Sequence, residues 1–583
     1  MKTPLVGRFS LGILFCLVFA FLLLGGGWLV PLHFLPWVSW HSELPAFLAM
    51  AILAWLGVYR LRSLDGQGTL PLPGVALLFV GLALIAVIQA CTGLIGFSGD
   101  ALVLTMYMAL CIMGLMLGFA AKGNGSRWMP LTISGEGRFL LTALALTVLI
   151  ASVISALVAY VQVLDVWDSV SWINRMPQLR RPGGNLGQPN QLATLLLMGM
   201  GSLVFLYESG KLGRLLGLLI VLVLGVGLAL TESRTGVLSY VLLSAWWWVG
   251  RSRMDFKLSA WVVGLVGVGI LILFWAWPWM AAMIQGMGTG PDMQLNTKAG
   301  TRLIVWPQLL EALAISPWWG WGLGGVSKAH NAVVHAHSVS EPFSYSHNIM
   351  LDLALGVGLP LASVLVVCVS VWLWRRVCGA KTLTPWYCLA VVLPVAVHSL
   401  LEFPFAYAYF LVPVMLLLGW LEAASGVKPV CHVGVRPMGV LLLLVSMVGF
   451  WSVVEYLRIE EDFRIARFEA LRIGQKPADY ERPAVHLLTQ LGALLDGART
   501  VPRPDMTASE LALVREVALR YPWTATQNRY ALSLALNGQS AEAMRQLRVM
   551  HALHGDKNYA EIKRNWETLA QEKYPQLRTL TLP

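Results

Sequence analysis

The chain has 583 residues, 57% of them hydrophobic and only 13% charged, with a mean hydropathy of +0.67. A soluble globular domain carries about 25% charged residues, so this composition excludes a soluble protein and predicts an integral membrane protein. The net charge of +11 predicts no nucleic-acid partner, because Lys and Arg sit mostly in short connectors between apolar runs.

Lys2 and Arg8 precede an apolar run from Phe9 to Val30. It is longer than a signal-peptide core and lacks a small-x-small cleavage site, which predicts an uncleaved first helix. In all, about thirteen runs are long and apolar enough to be spans. They centre near 9–30, 44–61, 73–92, 99–121, 138–164, 191–208, 213–231, 234–250, 258–285, 348–374, 385–401, 404–423 and 437–457.

The connectors alternate in charge. One set holds Lys2/Arg8, Arg60/Arg62, Lys122/Arg127/Arg138, Lys211/Arg214, Arg251/Arg253/Lys257, Arg375/Arg376/Lys381 and Lys428/Arg436. The other contains 31–43 and 93–98, which have no Lys or Arg, then 165–190, the turn at Arg234, a long polar loop, the turn at Glu402 and the tail after Leu457. The positive-inside bias puts the first set and the N-terminus in the cytoplasm. The long loop and the tail then lie outside, in the periplasm of a Gram-negative cell, with the chain in its inner membrane.

The expected fold is all-α: a polytopic membrane helix bundle with a large periplasmic loop and a C-terminal soluble helical domain. Residues 1–285 and 348–457 form the membrane helices, 286–347 the loop and 458–583 the tail. Within the tail, residues 521–555 read as two amphipathic helices meeting at Asn537-Gly538, resembling a tetratricopeptide-type hairpin. A generic helical cap is the alternative. One hairpin forms no solenoid alone, so it needs a surface to pack against. The seven cysteines, at 16, 91, 111, 368, 378, 388 and 431, lie in apolar runs or cytoplasmic connectors, and a disulfide framework is not expected.

Several classes of chemistry lack their motifs. There is no Walker A sequence, no HExxH and no close Asp-x-Asp pair. What remains lies in the outer connectors. Arg180-Arg181-Pro182-Gly183-Gly184-Asn185-Leu186-Gly187-Gln188-Pro189-Asn190-Gln191 is polar and Gly-rich and opens a span. Its backbone amides suit an anion, and Asn185, Gln188 and Asn190 suit a sugar or peptide; a capped interfacial turn is the alternative. Arg234 sits where almost no loop separates two spans, which places a guanidinium facing a polar cavity or paired with Glu232. With Arg302 it could neutralise a pyrophosphate.

His347 stands where the loop meets the next span, with Glu341 before it and Asp352 a turn later. Imidazole is suited to remove a hydroxyl proton near neutral pH; a histidine packed in a polar interface is the alternative. His330, His335 and His337 have no matching carboxylate pattern, and no metal site is expected. On the last outer turn, His398 and Glu402 at membrane depth precede Tyr407 and Tyr409. They could contact a lipid or sugar, whereas Tyr409 reads as aromatic belt.

The segments GNLGQPNQLA, TESRTG, GTRLIVWPQLL, SPWWGWGLGG, SHNIMLDLALGVGLP and HSLLEFPFAYAYF resemble the bacterial O-linked protein oligosaccharyltransferases of the PglL/PilO type, within the O-antigen ligase/polymerase superfamily. The resemblance implies en bloc transfer of a preassembled glycan from an undecaprenyl-pyrophosphate carrier to an acceptor protein, pilin-like or otherwise periplasmic. It implies no cofactor, nucleotide sugar or catalytic metal. His347 matches the family's loop histidine, and Arg234 and Arg302 its arginines. Gln188 falls in the Gly-Asn-Leu-Gly-Gln segment and Tyr407 in the last aromatic turn. Where many relatives carry Glu-x-Gly, this chain reads Ala354-Leu355-Gly356-Val357-Gly358, so a required carboxylate would be Glu341, Asp352 or Glu402. The rivals are an O-antigen ligase acting on lipid A–core, an O-antigen polymerase and, from another class, a multi-span transporter.

Overall fold

The computed structural model describes residues 11–65, 68–123, 138–166, 172–176, 181–284, 299–471, 473–474 and 480–582. Lys2, Arg8, Arg127, Arg180 and Lys298 lie outside the described residues. The helices are α1 (Leu11–Gly27), α2 (Trp40–Asp65), α3 (Ala76–Cys91), α4 (Ser98–Gly123), α5 (Arg138–Val163), α6 (Pro189–Glu208), α7 (Arg214–Leu230), α8 (Arg234–Arg251), α9 (Ala260–Ile284) and α10 (Ala299–Ile315). They continue with α11 (Val326–Val333), α12 (Ile349–Val357), α13 (Leu359–Gly379), α14 (Leu383–Ser399), α15 (Ala408–Ala424), α16 (Val435–Leu471), α17 (Thr489–Arg499), α18 (Ala508–Arg520), α19 (Thr524–Leu536) and α20 (Ser540–Glu572). Seven of the described helices, α2, α4, α5, α6, α9, α13 and α16, are long and apolar enough to cross a membrane, and α1, α3, α7, α14 and α15 are apolar but shorter. The chain is an integral membrane protein.

Three features differ from the sequence reading. The run 348–374 is two helices, because Gly358 has φ +83° and a Cβ there would collide with the Trp318 carbonyl. Continuous apolarity hides that break. The composition shift at Arg458 is not a backbone break either, since α16 continues for 37 residues to Leu471. At about 1.5 Å per residue this helix is some 55 Å long, well beyond a bilayer core of about 30 Å. The fold is also not purely helical: β1 (Thr69–Leu72) and β2 (Cys431–Gly434) form an antiparallel ribbon, Thr69 opposite Gly434 and Leu72 opposite Cys431.

The chain divides into two compact units. The first comprises residues 1–81, 107–296 and 369–448 and is built around α6, which packs against α5, α7, α8 and α14. Apolar burial alone gives helices little attraction in lipid, so close approach at small residues has to supply it. Gly118 of α4 and Gly419 of α15 each face the other helix's backbone so closely that a Cβ would overlap it. The basic connectors bond to one another: the Glu208 carboxylate accepts the Lys257 and Leu258 N–H groups at 2.8 Å, Arg253 Nη1 donates to the Val377 carbonyl at 2.8 Å, and the ribbon joins 69–72 to 431–434. The other connectors do likewise. His33 Nε2 lies 2.7 Å from the Asn185 carbonyl, and the Ala408 N–H donates to Glu43 at 3.2 Å.

The second unit comprises residues 82–106, 297–368 and 449–583. Val305, Leu309 and Ala312 of α10 pack with Val326, Ala329 and Val333 of α11 and Leu355 of α12. In the tail, α19 and α20 meet at Asn537-Gly538, as the sequence suggests, around Tyr530, Leu534, Leu547, Met550 and Trp566. Gly555 (φ +76°) interrupts α20. The surface this hairpin packs against is the long loop. Val334 sits among Val549, Ala552 and Leu553, the Ser340 N–H donates to the Ala552 carbonyl at 2.8 Å, and the Asn331 and Gln546 amides bond reciprocally at 3.2 Å. Arg520 grips Asp100 through Nε and Nη2 at 2.9–3.1 Å.

Candidate active site

In the first unit the Gly-rich segment is a knot. Asn185 is 1% exposed. Its Nδ2 donates to the Leu29 and Trp172 carbonyls at 2.7 and 3.1 Å, and its Oδ1 accepts the Asn174 N–H at 3.2 Å. Both amide hydrogens are committed inside the protein, so Asn185 shapes the turn. Gln162 joins it, accepting the Gly184 N–H at 2.9 Å.

Glu402, 6% exposed, gathers the next residues. One carboxylate oxygen accepts Gln188 Nε2 and the other Asn190 Nδ2 at 2.6 Å. Gln188 is the N-cap of α6 and accepts the Gln191 N–H at 3.2 Å. Asn190 Oδ1 accepts the Ser233 hydroxyl at 2.7 Å, and Ser233 caps α8 by accepting the Gly236 N–H at 2.9 Å. His398, 1% exposed, lies between Thr194 Oγ1 at 2.8 Å and Glu402 Oε2 at 3.6 Å. Four separate stretches, around 188–194, 233–236, 398 and 402, thus close one polar network.

Arg181 donates through Nε to the Thr231 carbonyl at 3.0 Å, bracing the turn before Arg234. Arg234 is the first residue of α8 and is exposed. Among the described residues it makes no hydrogen bond or ion pair, with Glu232 or any other. Helix starts favour anions and disfavour cations, so Arg234 and the α8 amides together concentrate positive charge. Tyr407 is half-buried and stacks on Tyr409 with centroids 5.3 Å apart. Tyr409 is not an aromatic-belt residue: it is 2% exposed and donates to Gln191 Oε1 at 2.8 Å.

In the second unit His347 has φ +61°, in the left-handed region where non-glycine residues are uncommon. The corner is held from both sides. Asn348 caps α12 by accepting the Met350 and Leu351 N–H groups. Asp352 accepts the Ser346 N–H at 3.1 Å and its hydroxyl at 2.9 Å, and Trp306 Nε1 donates to the Ser346 carbonyl at 2.7 Å. The His347 ring rests on Phe343, centroids 4.5 Å apart. Arg302 lies one turn before Trp306 on α10, so both fall on the same helix face. Glu341 is exposed.

The other loop histidines are differently engaged. His330 is buried against Gln308 Oε1 at 2.8 Å, and burial lowers it to about 4. Burial, then the nearby Arg545 and Arg548, lowers His335. His337 pairs with Glu311 at 2.9 Å. Among the described residues no three His, Cys, Asp or Glu side chains converge as a metal site.

Asp352 lies on α12, ahead of the α13 span. Burial raises it to about 7, against the lowering effect of the bonds from Ser346. Its folded value exceeds the ordinary 3.8, so the fold binds this proton more tightly than the unfolded chain does. Its contribution to stability is therefore complete below the unfolded value and is lost as pH rises through the folded one. The melting temperature in detergent, followed by Trp fluorescence, is expected to fall between roughly pH 4 and 7 and to fall less in Asp352→Asn. Identical profiles would mean that Asp352 does not titrate there.

Sequence reasoning misses His33, Gln162, Thr194, Ser233 and Glu43. Glu43 is findable, because it is a carboxylate at the mouth of a span, the same signal that marks Arg234.

The sequence is similar to those of known proteins. A family model for the O-antigen ligase covers residues 218–366, including Arg234, Arg302 and His347. One for a protein glycosylation ligase covers 182–207, including Asn185, Gln188 and Asn190. One for a virulence factor membrane-bound polymerase, C-terminal, covers 386–568. A general O-oligosaccharyltransferase of Acinetobacter baylyi is 26% identical over 539 residues, spanning 90% of each chain. A ComP-specific O-oligosaccharyltransferase of the same organism is 26% identical over 425 residues, 71% of this chain and 73% of the other. Taken with the membrane helices, these matches show a chain that is similar to O-antigen ligases and, over most of its length, to bacterial O-linked oligosaccharyltransferases, and that is a glycosyltransferase.

Proposed function

We propose that this chain transfers a preassembled oligosaccharide en bloc from undecaprenyl pyrophosphate to Ser or Thr hydroxyls of a periplasmic or pilin-like protein. The observation that carries this reading concerns Arg234, which heads α8 without a partner among the described residues, and the braced His347 corner. Both fall within the stretch resembling O-antigen ligases. The segregation of basic connectors from the others in the first unit supports a cytoplasmic N-terminus, about thirteen spans and a periplasmic active site.

In the proposed reaction His347 takes the proton from the acceptor hydroxyl, whose oxygen bonds to the anomeric carbon. The bond from that carbon to the pyrophosphate oxygen breaks, and its electron pair leaves with the lipid pyrophosphate held by Arg234 and Arg302. Such a single displacement inverts the anomeric centre. Arginine stabilises the leaving charge without a proton transfer of its own. Arg302→Lys is expected to lose most activity, because a point charge cannot reproduce a two-pronged grip. Glycan transfer by purified protein in detergent measures it, and wild-type turnover would reduce Arg302 to a simple charge.

The deciding experiment is co-expression with a lipid-linked glycan pathway and a candidate pilin, followed by mass spectrometry. A glycan mass on Ser or Thr is the expected result. A glycan on lipid A–core would identify a ligase, and a lengthened lipid-linked glycan a polymerase. Glycan moved across the membrane with no new covalent product would identify a transporter.

A further inference from the structure

The first unit carries a cavity of about 470 Å³ that takes no part in the polar network. α9 packs along α7 and barely touches α8, so a gap opens between α8 and α9, floored by α6. Its wall is apolar, with Leu203, Leu218, Val263 and Trp247 representative, and it also takes in Arg214 and Lys257. Its volume falls within the range of about 300–1,000 Å³ usual for small-ligand sites.

The charge is confined to one end. Residues 208–214 and 251–259 hold Lys211, Arg214, Arg251, Arg253 and Lys257 against Glu208 and Asp255. The Glu208 carboxylate is committed to the Lys257 and Leu258 N–H groups at 2.8 Å. Lys257 Nζ gives one hydrogen to the Glu208 carbonyl at 2.9 Å, which leaves two. Arg214 is exposed and among the described residues makes no hydrogen bond or ion pair.

An apolar slot whose mouth offers a guanidinium and an ammonium fits an amphiphile with a hydrocarbon tail and an anionic phosphate head. A zwitterionic head would fill the same slot but bring its own cation beside Arg214 and Lys257. Basic pockets between membrane helices on the cytoplasmic side bind acidic lipid heads for this reason. The glycan donor is a poor candidate, because Arg234 stands at the opposite end of α8, about 27 Å away for an 18-residue helix. We infer that this cavity binds an anionic phospholipid, its tail between α8 and α9 and its phosphate on Arg214 and Lys257.

The test uses delipidated full-length protein in neutral detergent. Retained lipid is read by native mass spectrometry and thermal stability by Trp fluorescence. Phosphatidylglycerol should be retained and raise the melting temperature, and phosphatidylcholine should do so much less. Arg214→Gln/Lys257→Gln should weaken phosphatidylglycerol retention about tenfold or more, since each basic residue near an acidic surface is worth about 1 kcal/mol. Val263→Trp, which fills the slot with its charges intact, should abolish retention of both lipids. Equal response to the two lipids, or both variants behaving as wild type, would overturn the inference. So would glycerol 3-phosphate alone reproducing the shift, since the site would then hold an anion and not a lipid. None of these readouts depends on glycan transfer.

Discussion

Replacing His347 is expected to lower glycan transfer by roughly 10²–10⁴-fold, the range a positioned general base contributes, without loss of protein from the membrane. The choice of substitution decides what is learned. His347 sits at φ +61°, where the Cβ of any L side chain costs roughly 1–2 kcal/mol, so His347→Ala keeps that strain while losing the ring's packing on Phe343 along with the chemistry. His347→Gly relieves that strain. Asn, like His, is enriched at positive φ, so His347→Asn keeps the backbone conformation without a group that titrates near neutral pH. The Gly and Asn variants should melt no lower than wild type yet transfer as poorly as the Ala variant. Wild-type turnover by His347→Gly would place the base elsewhere.

The same residue shows what a sequence can and cannot reveal. A histidine where a polar loop meets an apolar run is visible from spacing alone. Its backbone conformation, and the Asp352 and Trp306 contacts to Ser346 that brace it, depend on turns of different helices meeting. The Gly358 break is hidden for a related reason: Leu353 to Leu361 is apolar throughout, and only the approach of the Trp318 carbonyl explains why a span cannot continue through it. The connectors behave in the opposite way. Lys and Arg placement follows from insertion energetics, and within the first unit some basic connectors bond to one another, as do some of the others. The tail hairpin is legible as helices from its periodicity. Its seat on Val334 and Asn331 is not, because a partner surface leaves no periodic mark of its own.

Glu402 carries the other large expected effect, through the direction of its hydrogen bonds. Its two oxygens accept from Gln188 and Asn190. Gln188 cannot turn around, because its Oε1 accepts the Gln191 N–H; Asn190 can do so only by taking from the Ser233 hydroxyl the acceptor it now has in Oδ1. Glu402→Gln, although nearly isosteric, must therefore either point an N–H at another N–H or leave the Ser233 hydroxyl without its acceptor. A buried unsatisfied donor costs about 1–3 kcal/mol, and strain here reaches the caps of both α6 and α8, the helix headed by Arg234. The expected result is a lower melting temperature together with reduced glycan transfer. Adding Asn190→Asp should reverse both losses. One oxygen of the introduced aspartate would accept from Ser233 and the other from the amide of the introduced glutamine. That glutamine's own oxygen would accept from Gln188, and the total charge is unchanged. A double-mutant cycle on melting temperature and turnover measures this coupling. Rescue by the pair would show that the polarity of this network, rather than a carboxylate at position 402, is what the site requires. A pair that regains its melting temperature but transfers no better than Glu402→Gln alone would instead make the Glu402 carboxylate itself a participant in transfer.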